Sequence, residues 1–144
     1  MTLALDTDFL VNWLIEGTPL HEEASFLVTN EVRKDGALGL VPQVLYEFVH
    51  VGTDPRRFER PFSMDEAIAR ARSLWDAPEV VRIVPGSMVP HRSMELLSRF
   101  SLGRKRILDT ALAATLEAAG VRRLATFNGK DYQVFPFLEI VTPS

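Results

Sequence analysis

Short apolar runs alternate along this chain with longer stretches of helical period. Leu3-Ala4-Leu5 has the pattern of a buried strand and ends on Asp6. Asp8 to Glu16 reads as a helix with Phe9 and Trp13 one turn apart and Gly17 as its stop. Thr18-Pro19 has the form of a second helix start, with Thr at the cap and Pro at the first position. Ala24, Leu27, Val28 and Val32 would line its inner face, and Gly36 would end it. Ala37 to Val41 is a second strand, and Pro42 starts a helix through Val44, Leu45, Phe48 and Val49.

Gly52 to Pro61 is a polar loop rich in Arg and Pro. Ser63-Met64-Asp65-Glu66 matches a capping box, whose helix would run to about Asp76. Val80 to Val84 is a third strand, ended by Pro85-Gly86, and a helix should cover Arg92 to Phe100. After Gly103 comes a small-residue helix ending near Gly120, then a strand at Leu124 to Phe127 and a last one at Leu138 to Val141. Strands thus alternate with helices or helix pairs. That order predicts a three-layer α/β/α domain over residues 1–144, with a central, mostly parallel sheet of four to five strands.

Composition narrows the chemistry. With 144 residues, 47% hydrophobic and 24% charged, the chain fits one domain with a sizeable core. The absence of cysteine excludes disulfides, thiolate metal sites and cysteine nucleophiles. The three histidines, His21, His50 and His91, are scattered without zinc-ligand spacing. No apolar stretch approaches transmembrane length, and Asp6 and Asp8 stand where a signal peptide would carry positive charge, so a cytoplasmic protein is expected. A formal net charge of -3 means that any nucleic-acid affinity must come from local basic patches.

The carboxylates carry the functional signal. In parallel α/β sheets, sites form at the carboxyl ends of strands where strand order reverses. Asp6 follows the first strand, Asp109 opens the small-residue helix beside Leu112, Ala113 and Leu116, and Asp131 follows the fourth strand. Each has an ordinary reading: Asp109 as a helix-start acid, Asp131 as a turn residue in Asn-Gly-Lys-Asp, Asp8 as a first-turn acid. Glu47, among apolar neighbours, shares a face with Gln43 and His50 that could simply be solvated. Together, however, Asp6, Asp109 and Asp131 fall on one edge of one sheet. Carboxylates converging there repel one another unless some are protonated or a cation sits among them. An all-oxygen set suits Mg²⁺ or Mn²⁺ rather than zinc.

This ordered set resembles the PIN-domain ribonucleases, and most closely the VapC-type toxins of VapBC toxin–antitoxin pairs. The resemblance covers essentially the whole chain and rests on four stations: Leu5-Asp6-Thr7-Asp8-Phe9-Leu10, Leu45-Tyr46-Glu47-Phe48, Leu108-Asp109-Thr110-Ala111-Leu112-Ala113-Ala114, and Leu124 to Tyr132 followed by Leu138 to Pro143. It implies a PIN-like fold and an endoribonuclease with Asp6, Glu47 and Asp109 as the core acids. The closing station departs from the family pattern. Asn128 stands where an aspartate is usual, so the fourth carboxylate is either Asp131 or missing, with Asn128 as a neutral oxygen ligand.

Phosphodiester hydrolysis needs an activated water and neutralised phosphate charge, which a bound Mg²⁺ or Mn²⁺ can supply. In that scheme Asp6 and Asp109 hold the metal, Glu47 orients water, and Asp131 supports a second ion or the water shell. Thr7 and Thr126 add hydroxyl hydrogen bonds. Arg104, Lys105, Arg106 and Lys130 are the candidate phosphate contacts near the site, with Arg56, Arg57 and Arg60 more remote. The resemblance further implies a structured RNA substrate of the tRNA or rRNA class, a cognate antitoxin and a homodimer. Two rival readings remain. A PIN-like module could bind RNA or protein without cleaving. A haloacid-dehalogenase-type phosphatase would use Asp6 as nucleophile and Asp8 as acid, but Phe9-Leu10 follows Asp8 where that family has Gly-Thr, and no late Gly-Asp pair appears.

Overall fold

A computed structural model describes residues 1–143. Five strands, β1 (Thr2–Leu5), β2 (Ala37–Leu40), β3 (Val80–Arg82), β4 (Arg123–Ala125) and β5 (Glu139–Val141), form one sheet in the order β3-β2-β1-β4-β5. Every pairing is parallel. The helices are α1 (Thr7–Leu14), α2 (His21–Arg33), α3 (Pro42–Gly52), α4 (Met64–Trp75), α5 (Val89–Arg99) and α6 (Ile107–Ala118). The chain builds outward from β1 through β2 to β3, then returns past β1 to lay down β4 and β5. With right-handed crossovers, this reversal puts α1 to α4 on one face and α5 with α6 on the other. The three-layer architecture expected from the sequence is therefore present, with the sheet wholly parallel.

Central parallel strands are covered on both faces and read as unbroken apolar runs. β1 obeys this: Leu3, Ala4 and Leu5 are all buried, as are Phe9 and Leu10 of α1. β2 carries Gly39 where Ile83 and Thr2 close over the strand; a Cβ there would lie 2.9 Å from both side chains. α4 begins at the expected capping box, with the Ser63 hydroxyl accepting from the Glu66 amide at 3.1 Å and the Glu66 carboxylate accepting from the Ser63 amide at 3.0 Å. Trp13, Trp75 and Phe58 are partly buried and pack against the core.

Several expected boundaries differ. α2 starts at His21, not at Thr18-Pro19, and has no side-chain cap. The Thr18 hydroxyl instead donates back to the Ile15 carbonyl at 2.9 Å and to that of Asn12, closing the turn after α1. Val32 of α2 is exposed rather than inward. α5 begins at Val89, with Pro90 tolerated in its first turn where no intrahelical N–H bond is lost, so it starts before Arg92. Arg104–Arg106 form a separate 3₁₀ turn ahead of α6. Among the described residues no helix is long and apolar enough to cross a membrane.

At the amino end of β4, Arg123 makes a two-pronged ion pair with Glu31 of α2, at 3.0 and 2.7 Å. Their side chains are only 18% and 10% exposed. The paired guanidinium holds the Glu31 carboxyl below its usual range. Removing one partner strands the other charge, which costs about 3–5 kcal/mol for a buried pair, whereas replacing both with apolar residues is often neutral. Glu31→Ala is therefore expected to lower stability by about 3 kcal/mol, and Glu31→Leu with Arg123→Met to lose far less, both measured by denaturant unfolding. A double variant as unstable as the single one would contradict this account.

Candidate active site

The strand order reverses between β1 and β4, and the site forms at their carboxyl ends, as expected for such sheets. Register sets it up. Leu5 lies opposite Ala125, so Asp6 and Thr126 leave the sheet side by side. The Asp6 amide donates to the Ala125 carbonyl at 3.3 Å, extending the ladder by one step. Asp6 then takes an extended conformation and caps α1, its Oδ1 accepting from the Phe9 amide at 2.8 Å. Its Oδ2 accepts from the Thr126 hydroxyl at 2.5 Å. That hydroxyl oxygen accepts in turn from the Asn128 amide at 2.9 Å, shaping the turn after β4. Phe9 stacks on Phe127 at 5.3 Å between ring centres and locks α1 onto this turn.

A small cavity of about 140 Å³ opens here, lined by Asp6, Thr7, Asp8, Gln43, Glu47, Asp109, Leu112, Asn128, Asp131 and Tyr132. The four stations read from the sequence thus meet at one place. Glu47 projects from α3 and accepts from the Thr7 hydroxyl at 3.1 Å and the Gln43 amide at 3.2 Å. The face shared by Gln43 and Glu47 looks into the cavity, while His50 is exposed. Gln43 also donates to the Leu108 carbonyl at 3.1 Å, tying α3 to the start of α6. Asp109, in the first turn of α6, accepts from the Tyr132 hydroxyl at 3.2 Å. Asp131 reaches the wall from a 3₁₀ turn at Gly129–Asp131, and Asn128 lines the cavity beside it.

The electrostatics are strained. Burial, with Asp8 and Asp109 adding repulsion, pushes the Asp6 carboxyl up to about 7 against the pull of its Thr126 and Phe9 hydrogen bonds. Asp109 is also raised, by burial first and then by Asp131 and Glu47, while Tyr132 and Arg106 oppose the shift. Burial and the surrounding Asp6, Asp109 and Asp131 push the Tyr132 hydroxyl up as well, so it stays a proton donor. Among the described residues no three acidic or histidine side chains stand close enough to ligate one ion as a preformed cage. Mg²⁺ does not need such a cage; it is held through one or two carboxylates and keeps much of its water. An all-oxygen set of mutually repelling carboxylates around a small cavity fits that ion, and Asp6 and Asp109 are the two acids of the cavity whose carboxyls burial pushes up.

The proposed phosphate contacts divide. Arg104, Lys105 and Lys130 are exposed. Arg106 turns inward, its Nε 3.7 Å from Asp109 Oδ2. Two residues central to the network were not assigned a role from the sequence. Gln43 was visible only as the residue one turn before Glu47, and Tyr132 only as the neighbour of Asp131. Asp8, read as a first-turn acid, is one and also lines the cavity.

Asp6 is protonated more readily folded than unfolded. Its neutral form therefore favours folding below the ordinary aspartate range near pH 4, and that contribution is lost as pH rises through about 7. In metal-free protein, Asp6→Asn should remove this loss and raise stability at pH 8 by a few kcal/mol, taking about 1.4 kcal/mol per pKa unit. Thermal unfolding of both proteins between pH 5 and 8 in EDTA checks this; parallel pH curves would contradict it.

No protein-family model matches this sequence, and no curated protein matches it. Solved structures do. VapC20 of Mycobacterium tuberculosis, a sarcin–ricin-loop-cleaving toxin, superposes with a TM-score of 0.73 at 17% identity, over 92% of this chain and 95% of that one. VapBC2 of Rickettsia felis, solved bound to a DNA fragment from its promoter, matches at 0.68 and 17% identity over 100% of both chains. VapBC-1 of nontypeable Haemophilus influenzae matches at 0.68 and 15% identity, over 99% of this chain and 98% of that one. What the chain shares with these proteins is architecture: it has the PIN-like α/β fold of the VapC toxins, with its acidic cluster at the carboxyl ends of β1 and β4.

Proposed function

We propose that this protein is a divalent-metal-dependent endoribonuclease and the toxin of a toxin–antitoxin pair. The observation that carries the reading is the cavity in which Asp6, Glu47, Asp109 and Asp131, drawn from four separate segments, face one another. Hydrogen bonds orient Asp6, Glu47 and Asp109, and none of the four is spent on an ion pair shorter than 3.7 Å among the described residues. Asp6 and Asp109 would hold Mg²⁺ or Mn²⁺. When bound, the ion supplies an acidified water and charge neutralisation at the phosphate. Glu47, aligned by Thr7 and Gln43, orients the attacking water and takes its proton. Asp131 and Asn128 complete the polar wall on the opposite side. Thr126 holds Asp6 in place through its hydroxyl, a positioning contribution.

Arg104 and Lys105, exposed in the turn before α6, and Lys130, exposed next to Asp131 in sequence, would bind RNA phosphates outside the acidic centre, which fits a chain whose net charge is -3. The substrate class proposed is a structured RNA of the tRNA or rRNA type. An antitoxin partner belongs to the same reading, supported by the VapBC complexes that share the fold; a homodimeric assembly and a cytoplasmic setting are proposed with it. The non-cleaving alternative rests on Asn128, a neutral side chain in the cavity wall.

Incubation with total bacterial RNA separates the two. Discrete fragments are expected with Mg²⁺ or Mn²⁺ and none with EDTA. Asp109→Asn should cut the rate by about 100-fold or more, the scale on which removing one preorganised electrostatic group acts. A folded protein that leaves RNA intact in both metals would favour the binding-only module.

A further inference from the structure

Asp109 lies in the first turn of α6, and its carboxylate is held by side chains from other turns rather than by a backbone amide. Asp6 is pinned by a backbone amide and a hydroxyl, and Glu47 by a hydroxyl and an amide. Two side chains do the equivalent for Asp109 from opposite chain directions. Tyr132 approaches from the turn after β4, its hydroxyl 3.2 Å from Oδ1. Arg106 approaches from the turn before α6, its Nε 3.7 Å from Oδ2.

Both supports are themselves fixed. The Tyr132 residue is 3% exposed. Its amide donates to the Gly129 carbonyl at 3.0 Å and its carbonyl accepts from the Phe135 amide at 3.1 Å, which fixes the backbone that carries the buried ring. The Arg106 carbonyl accepts from the Thr110 hydroxyl at 2.7 Å. Nε and Nη2 of Arg106 are buried and have no hydrogen-bond partner, and Asp109 is the acid that pairs with this guanidinium. Arg106 does not line the cavity, and it is less exposed than Arg104 and Lys105 beside it. Its buried donors therefore face the back of Asp109 rather than an incoming phosphate.

We infer that Tyr132 and Arg106 are positioning residues for Asp109, the hydroxyl fixing one carboxylate oxygen and the guanidinium countering the other, so that Asp109 presents one orientation and a full charge to the metal. This assigns Arg106 to the metal centre instead of to RNA. The inference rests on the metal-dependent reading above. The physical logic is that partners behind a ligand set its direction and basicity, and losing one costs metal affinity as well as rate.

The test is a Mn²⁺ titration followed by the EPR signal of the free ion, run on wild type, Tyr132→Phe, Arg106→Gln and Arg106→Lys, with RNA affinity measured separately in EDTA. Tyr132→Phe keeps the buried ring and removes only the hydroxyl. It should weaken Mn²⁺ binding by about 10-fold or more and lower kcat while leaving KM for RNA in place. Arg106→Gln should weaken Mn²⁺ binding with RNA affinity unchanged, and Arg106→Lys should recover part of it by restoring the charge. The double variant Arg104→Gln, Lys105→Gln should do the reverse, weakening RNA and sparing Mn²⁺. Wild-type Mn²⁺ affinity in Tyr132→Phe, or an Arg106→Gln defect confined to RNA, would overturn the assignment. A wild type that binds no Mn²⁺ would overturn the metal reading itself, and is told apart by the control curve.

Discussion

A carboxylate buried directly after the apolar run Leu3-Ala4-Leu5 is the constraint on which this molecule turns. β1 lies at the centre of the sheet, and Asp6 is its next residue, 4% exposed. Desolvating an aspartate is costly unless its oxygens are satisfied. The fold satisfies both, one with the first-turn amide of α1 and one with the Thr126 hydroxyl. Those two bonds also define the geometry around them: the first sets where α1 leaves the sheet, the second fixes the turn that carries Asn128 and Asp131. The same side chain thus serves as helix cap, as link between β1 and β4, and as wall of the acidic cavity.

Bringing further carboxylates to that point deepens the cost, because like charges in a half-buried cavity repel. The surrounding polar contacts read as the answer to this. Thr7 and Gln43 hold Glu47; Tyr132 and Arg106 hold Asp109. Each is a donor aimed at an acid, and Gln43 additionally ties α3 to the carbonyl of Leu108. A site assembled this way is a local loss of stability that these donors partly offset. At the other end of β4, Arg123 is spent on Glu31, where the pair joins α2 to the sheet and leaves no charge free.

Much of the architecture was legible beforehand. The alternation of strand-length apolar runs with helical periods sufficed for a parallel three-layer domain, because burial on both faces makes the inner residues of a central strand an apolar run. The capping box at Ser63 was readable because its two hydrogen bonds are local, three residues apart. The start of α2 was misread because Thr18 had two local uses open to it, capping forward or bonding back to Ile15, and packing of the turn after α1 chose the second. Val32 matched the helical period yet lies at the solvent edge, since period fixes an angle around a helix and not how far the neighbouring layer extends.

By itself the sequence determined the strand ends at which acids appear, and so which residues were candidates: Asp6, Glu47, Asp109 and Asp131. Their convergence depended on sheet order and register, which are set by long-range pairing of β1 with β4 across some 120 residues and leave no local signature. The same holds for direction. Glu47 could have faced solvent with His50, and Arg106 could have stood out with Arg104 and Lys105; the charge run reads alike in either case. Only the packing of α3 against α1, whose Thr7 donates to Glu47, turned Glu47 into the cavity, and only the placement of Asp109 drew Arg106 inward. Side-chain identity is a local property, whereas the partner that satisfies a charge is decided by whichever segment the fold brings within reach.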